Sequence, residues 1–155
     1  MVRIPLGQEQ FGYAQMLDEP EYAFFAVTDP AVLAAQAASS PVLFRLWVMR
    51  RAHSSGRWAK IGTAPISMEL SHHSLRFNQD PLDPEIIVLG YDGVSGDSVS
   101  AEACQGYERA AVWEPEHVEE RLRDHRSGRP NATVQLLRPR GPNNSFKPKP
   151  LRGSA

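Results

Sequence analysis

The chain holds one cysteine, Cys104, in 155 residues, so no intrachain disulfide can form and a secreted disulfide-stapled scaffold is excluded. No stretch approaches the roughly 18 consecutive apolar residues of a membrane span. The opening Met1-Val-Arg-Ile-Pro-Leu-Gly-Gln-Glu-Gln has no apolar run of signal-peptide length. Together these absences predict a cytoplasmic protein. Internal repeats are also missing. Two further shortages concern charge. The 23 residues from Asp80 to Glu102 contain no Lys or Arg, and the 28 from Gly128 to Ala155 contain no Asp or Glu.

A formal net charge of −1 therefore conceals two unlike parts. Residues 1–127 carry 11 Lys+Arg against 18 Asp+Glu, a net of −7. Residues 128–155 carry Arg129, Arg138, Arg140, Lys147, Lys149 and Arg152, a net of +6. An acidic body disfavours nucleic acid, because phosphate neutralisation needs a positive face. It favours a basic protein partner. The basic segment is a poor stacking platform for nucleic acid, since Phe146 is its single aromatic.

A body of 127 residues is one domain, large enough to bury about two thirds of its unfolded surface without metal or disulfide support. The hydrophobic content of the whole chain, 41%, with all three Trp, all four Tyr and five of the six Phe inside residues 1–127, agrees. Alternating apolar positions predict strands at Arg3–Leu6 and Phe11–Leu17, and Tyr22–Val27 makes a third, a meander in all. Asp29-Pro30 predicts a short alanine-rich helix to Ala38. Val42–Met49, Trp58–Ile61, Ile66–Leu70, the β-branched run within Glu85–Tyr91, and Val112-Trp113 read as further strands, with Arg51–Gly56 a loop. Glu114-Pro115 opens a second helix that Gly128 ends, its C-terminal end loaded with Arg121, Arg123, His125 and Arg126. The expected fold is α+β: a strand-rich single domain, a bent antiparallel sheet or partial barrel with two helices. Residues 128–155, rich in Pro and Asn, are expected as a basic, disordered tail.

The chemistry-bearing residues form no strong motif. His53, His72, His73, His117 and His125 share no ligand spacing with Cys104, and adjacent His72-His73 on a strand face opposite ways, so no metal or other cofactor is predicted. Gly90-Tyr-Asp-Gly-Val-Ser-Gly96 lacks both the glycine spacing and the lysine of a phosphate-binding loop, and fits no nucleophile elbow. Cys104, beside Glu102 and upstream of His117, is the one candidate nucleophile and defines an alternative reading as a small hydrolase or transferase. A lone small thiol running into an apolar strand is more often packed than reactive. A third reading is a nucleic-acid-binding module acting through the basic tail.

The cation-free stretch is the better clue. Asp80, Asp83, Glu85, Asp92, Asp97 and Glu102 should give one strand and its flanking loops a negative edge. Such an edge is either a solvated face or a docking surface, where complementary charge speeds association and selects the partner. On the second reading Asp80, Asp83, Glu85, Asp92 and Asp97 are candidate contacts and Tyr91 an aromatic anchor.

The segment from Glu102-Ala-Cys-Gln-Gly-Tyr through Val112-Trp-Glu-Pro-Glu-His-Val to Leu122 resembles the Imm26 family of bacterial immunity proteins. The opening Ile4-Pro5-Leu6 with Phe11-Gly-Tyr-Ala-Gln15 is similar to that family's first strand pair, and Trp58-Ala-Lys-Ile-Gly62 with Pro65 adds to the likeness over about residues 2–124. The resemblance implies a polymorphic toxin system, in which a small cytoplasmic, non-enzymatic protein neutralises a cognate toxin domain by binding it. An acidic body suits a toxin with a basic substrate cleft, such as a nuclease. The terminal Asn143–Ala155 looks like a tail shared by otherwise unrelated bacterial proteins, which would leave it without a role in partner choice.

Overall fold

The computed structural model describes residues 1–141. In chain order its strands and helices are β1 (Val2–Gly7), β2 (Gln10–Met16), β3 (Glu21–Phe25), α1 (Ala34–Ala38), β4 (Val42–Val48), α2 (Arg51–Ser54) and β5 (Ala59–Lys60). There follow β6 (Arg76–Gln79), β7 (Ile87–Gly90), β8 (Asp97–Ser98), β9 (Glu108–Arg109), β10 (Val112–Trp113), α3 (Pro115–Arg126) and α4 (Ala132–Leu137). The fold is α+β, and its larger sheet curls into a half-barrel in the order β10-β4-β3-β2-β1-β5. β1 to β3 form the expected meander, pairing Arg3 with Tyr13 and Ala14 with Phe24, and β4 extends it by pairing Phe44 with Phe24. The smaller sheet has the order β8-β7-β6-β9.

Both faces of the meander are covered, and the two-residue period of a strand decides which side chain enters which core. From β3, Tyr22 and Phe24 join Ile4, Leu46, Val48, Trp58, Trp113, Val118 and Leu122 on one face. Ala23 and Phe25 join Tyr13, Ala37 and Leu70 on the other. α3 supplies Val118 and Leu122, one turn apart, and lies close to β2 because Gly12 has no side chain. A Cβ there would stand 2.8 Å from Leu122 Cδ1. Trp58 is wedged edge-on against Tyr22 and Phe24, with ring centroids 5.7 and 6.0 Å away. Its indole N–H donates to Glu119 of α3 at 3.0 Å.

Several local expectations change. The first helix begins at Ala34, because Asp29 Oδ1 accepts the Ala31 amide at 2.8 Å and closes a turn instead of capping a helix. The Arg51–Gly56 loop contains α2, and Ile66–Leu70 is no strand: Ser67 caps a 3-10 turn at Met68–Leu70. β6 has too little apolar alternation in Arg76-Phe-Asn-Gln79 to be read from the sequence. Each sheet also ends in a parallel edge, β10 on β4 and β9 on β6, where an all-antiparallel arrangement was expected.

The largest correction is at Gly128, where α3 ends but the packed body does not. Asn131 caps α4 by accepting the Val134 amide at 3.0 Å and is tied to α3 through Asp124 at 2.9 Å. Val134 and Leu137 then pack against the core that holds Trp113. Farther on, the Gln79 side chain donates to the Arg140 carbonyl at 2.8 Å and accepts from its amide at 2.9 Å. Two spaced apolar residues and one asparagine cap thus carry the body across the composition change. Lys147, Lys149, Arg152 and the whole Asn143–Ala155 segment lie outside the described residues.

Candidate partner-binding surface

The acids of the cation-free stretch lie on the outer half of the smaller sheet. Asp80, Asp83 and Glu85 occupy the β6–β7 connection, Tyr91 and Asp92 the β7–β8 connection, and Asp97 the edge strand β8, opposite Leu89. All six are exposed. The two loops are separated by the four residues of β7, about 13 Å of strand, so these residues form a rim and not one cluster.

The two loops are built alike. Asp80 Oδ1 accepts the amides of Leu82 and Asp83 at 2.7 and 2.9 Å. Asp92 Oδ1 accepts those of Val94 and Ser95 at 2.8 and 2.7 Å. These turn amides hold both carboxyls below the ordinary aspartate range. Each turn lifts an aliphatic side chain into solvent: Leu82 is 93% exposed and Val94 80%. Ile86 at 53% and Tyr91 at 61% stand beside them. Sequence reading identified Tyr91 but missed the aliphatic residues. Their signal was a lone apolar residue two places after Asp in a turn, which is where such a turn projects its side chain.

The rim is negative because the arginines of the body are engaged elsewhere. Arg51 holds Glu114 and Glu116, Arg57 grips Glu119 through two bonds of 2.7 and 2.8 Å, Arg121 holds Glu108 and Arg129 holds Asp124. Among the described residues, none of Asp80, Asp83, Glu85, Asp92, Asp97 and Glu102 makes an ion pair.

One buried ionic cluster fixes the smaller sheet against the larger. Glu21, at the start of β3, accepts from Arg45 of β4 at 2.9 Å, from Arg76 of β6 at 2.8 Å, and from the Ser74 hydroxyl. Arg76 is 1% exposed and lies 4.8 Å from the Trp47 ring centroid. Burial pushes the Glu21 carboxyl up, but its bonds to Ser74, Arg45 and Arg76 together hold it below the ordinary value. The rim is therefore carried on a sheet anchored through charge as well as packing.

The candidate nucleophile lies in a different setting. Cys104 is fully buried with Phe77 and Ile87, and burial pushes its thiol pKa up, the opposite of what a thiolate nucleophile needs. His53 is committed to the Tyr22 hydroxyl at 2.7 Å, and burial raises that phenol to about 12. Among the described residues no three His, Cys, Asp or Glu side chains gather as a metal site. No helix among them is long and apolar enough to cross a membrane.

A small α+β domain with a row of unpaired acids along one rim is the class of structure present. The family model for immunity protein 26, Imm26, matches residues 1–86, and the chain belongs to this immunity-protein family. No curated protein and no solved structure matches the chain. The matched part runs from β1 through β6 into the β6–β7 connection and includes Asp80, Asp83 and Glu85. Tyr91, Asp92 and Asp97 lie beyond it, as does the Glu102–Leu122 segment on which much of the resemblance rests.

Proposed function

We propose that the chain neutralises a cognate toxin domain in the cytoplasm by docking the rim of its smaller sheet onto a basic surface of that toxin, a nuclease being the target best matched in charge. The observation that carries this reading is the pair of aspartate-closed turns that present Leu82 and Val94 among unpaired acids. Exposed aliphatics ringed by one sign of charge suit a recognition surface, in which apolar anchors supply residence time and charge supplies encounter rate. A standard interface of about 1,600 Å² would be large enough to cover both loops.

The test begins with the full chain as bait in a lysate of its source cells at low and moderate salt. Any retained protein is then expressed with and without the chain. Rescue of growth by the chain supports neutralisation. A retained protein that is harmless alone, or toxic in both cases, overturns it. With the toxin domain in hand, Asp83→Lys with Glu85→Lys should slow association about tenfold at low salt and flatten its salt dependence. Leu82→Ala with Val94→Ala should chiefly speed dissociation. Unchanged rates in both variants would remove the rim from the interface.

A further inference from the structure

Opposite in charge to the rim, a cleft of about 350 Å³ opens between the segment Gln105–Arg109, Arg121 of α3, and the end of α4 with Arg138 and Pro139. Arg109, Arg121 and Arg138 line it, and Glu108 is its one acid, already bound to Arg121 at 2.6 Å. The lining therefore has a net charge of +2 in a chain whose total is −1.

Of these cations only Arg121 has a counter-charge, the single carboxylate of Glu108. Arg109 donates to neutral acceptors only, the Leu137 carbonyl and Gln79 Oε1, both at 3.1 Å, and lies 5.2 Å from the Phe77 ring centroid. Burial, with the nearby charge of Arg140, lowers its pKa. Arg121 is stacked 4.0 Å from the Phe44 ring centroid, and its Nη1 is buried with no partner among the described residues. Like Arg109, Arg138 and Arg140 make no ion pair among the described residues. Like charges brought together in partly buried surroundings are costly unless an anion joins them. The half-exposed Tyr107, with Gln105 beside it, adds neutral hydrogen-bonding groups at the mouth.

We infer that this cleft binds a phosphate dianion, carried by a small molecule, between Arg109, Arg121 and Arg138. Two negative charges match the net charge of the lining, and a planar guanidinium pairs with phosphate oxygens through two parallel bonds. The volume is at the low end for ligand sites and leaves room for a phosphoryl group and a short stem. This site is independent of the toxin-neutralising reading, and its failure would leave that reading untouched.

The experiment is a titration of the full chain with inorganic phosphate, then pyrophosphate, at constant ionic strength, read by calorimetry and by thermal melting. Acetate serves as the carboxylate arm. The expected result is saturable phosphate binding with a rise in Tm. Arg138→Gln should weaken it about tenfold, the loss of one charge-assisted hydrogen bond, with the ligand-free Tm not lowered, since one of the gathered like charges is removed. Arg138 suits this test because its side chain makes no hydrogen bond among the described residues, and Arg138→Lys should retain part of the affinity. No saturation by about 20 mM, which leaves less than about 2.5 kcal/mol of binding, overturns the inference. Equal responses to phosphate and acetate, or an Arg138→Gln curve superimposable on the parent, overturn it as well.

Discussion

Replacing Glu21 by Gln tests whether the two sheets are joined by charge. The substitution keeps the shape of the side chain but removes the negative charge that faces Arg45 at 2.9 Å and Arg76 at 2.8 Å. It also points an amide donor at groups that can only donate. Arg76 is 1% exposed and cannot turn to water, so its charge is left buried and uncompensated. Breaking one member of such a network costs about 3–5 kcal/mol, a large part of the 5–15 kcal/mol typical of a domain. With a urea slope of about 2 kcal/mol/M, the unfolding midpoint should fall by roughly 2 M. Replacing all three charged groups, with Glu21→Met, Arg45→Leu and Arg76→Met, should recover most of the loss, because the cost lies in the orphaned charge. Acid supplies a second check. A carboxyl lowered in the folded state stabilises fully above its ordinary pKa, 4.5, and loses that contribution as pH falls through the lowered folded value. The gap between parent and Glu21→Gln should therefore narrow only below about pH 4.5. A midpoint shift under about 0.5 M urea at neutral pH would refute the buried-cluster account.

Two other outcomes follow from packing. Cys104, sealed against Phe77 and Ile87, should react with a thiol reagent at neutral pH only as fast as the smaller sheet opens; prompt stoichiometric alkylation of the folded protein would revive the thiol-enzyme reading. Gly90→Ala should cost about 2 kcal/mol or more, since its Cβ would meet the Ser95 carbonyl oxygen at 1.9 Å. Gly7→Ala, at φ +88° but in open space, should cost only about 1 kcal/mol; equal losses in chemical denaturation would contradict the close approach of the β7–β8 turn.

Sequence alone revealed the parts of this fold that local periodicity controls. The β1–β3 meander shows in the alternation of Phe11, Tyr13, Gln15 and Leu17, and α3 shows in its Glu114-Pro115 start, basic last turn and Gly128 stop. What stayed hidden depends on distant partners. β6 is held by pairing with β7 and by the reach of Arg76 to Glu21, 55 residues away in sequence, neither of which leaves a mark on Arg76-Phe-Asn-Gln79. α4 was masked by composition: a Pro-, Asn- and Arg-rich stretch reads as tail until Asn131 is seen to cap it and Gln79 to clamp its continuation. The acidic stretch was legible as charge, but its division into two loops on either side of β7 was not.

That division bears on how the rim would work. Asp80 and Asp92 are bound to their own turn amides, so they contribute shape as well as charge, whereas Glu85 and Asp97 have side chains that make no hydrogen bond among the described residues. A loop closed by two amide bonds to one carboxylate gives up little further backbone freedom when it is captured. Leu82 and Val94 are then presented at fixed positions at opposite ends of β7, whose neighbour β6 is tied to the main sheet through Arg76 and Glu21. Such preorganisation would slow dissociation, while the freer carboxylates act mainly before contact, through their field. Asp97 also sits on an edge strand, where a charge discourages pairing with a second copy of the sheet. The same row of acids can therefore keep the edge solitary and leave it open to a partner that supplies the missing positive charge.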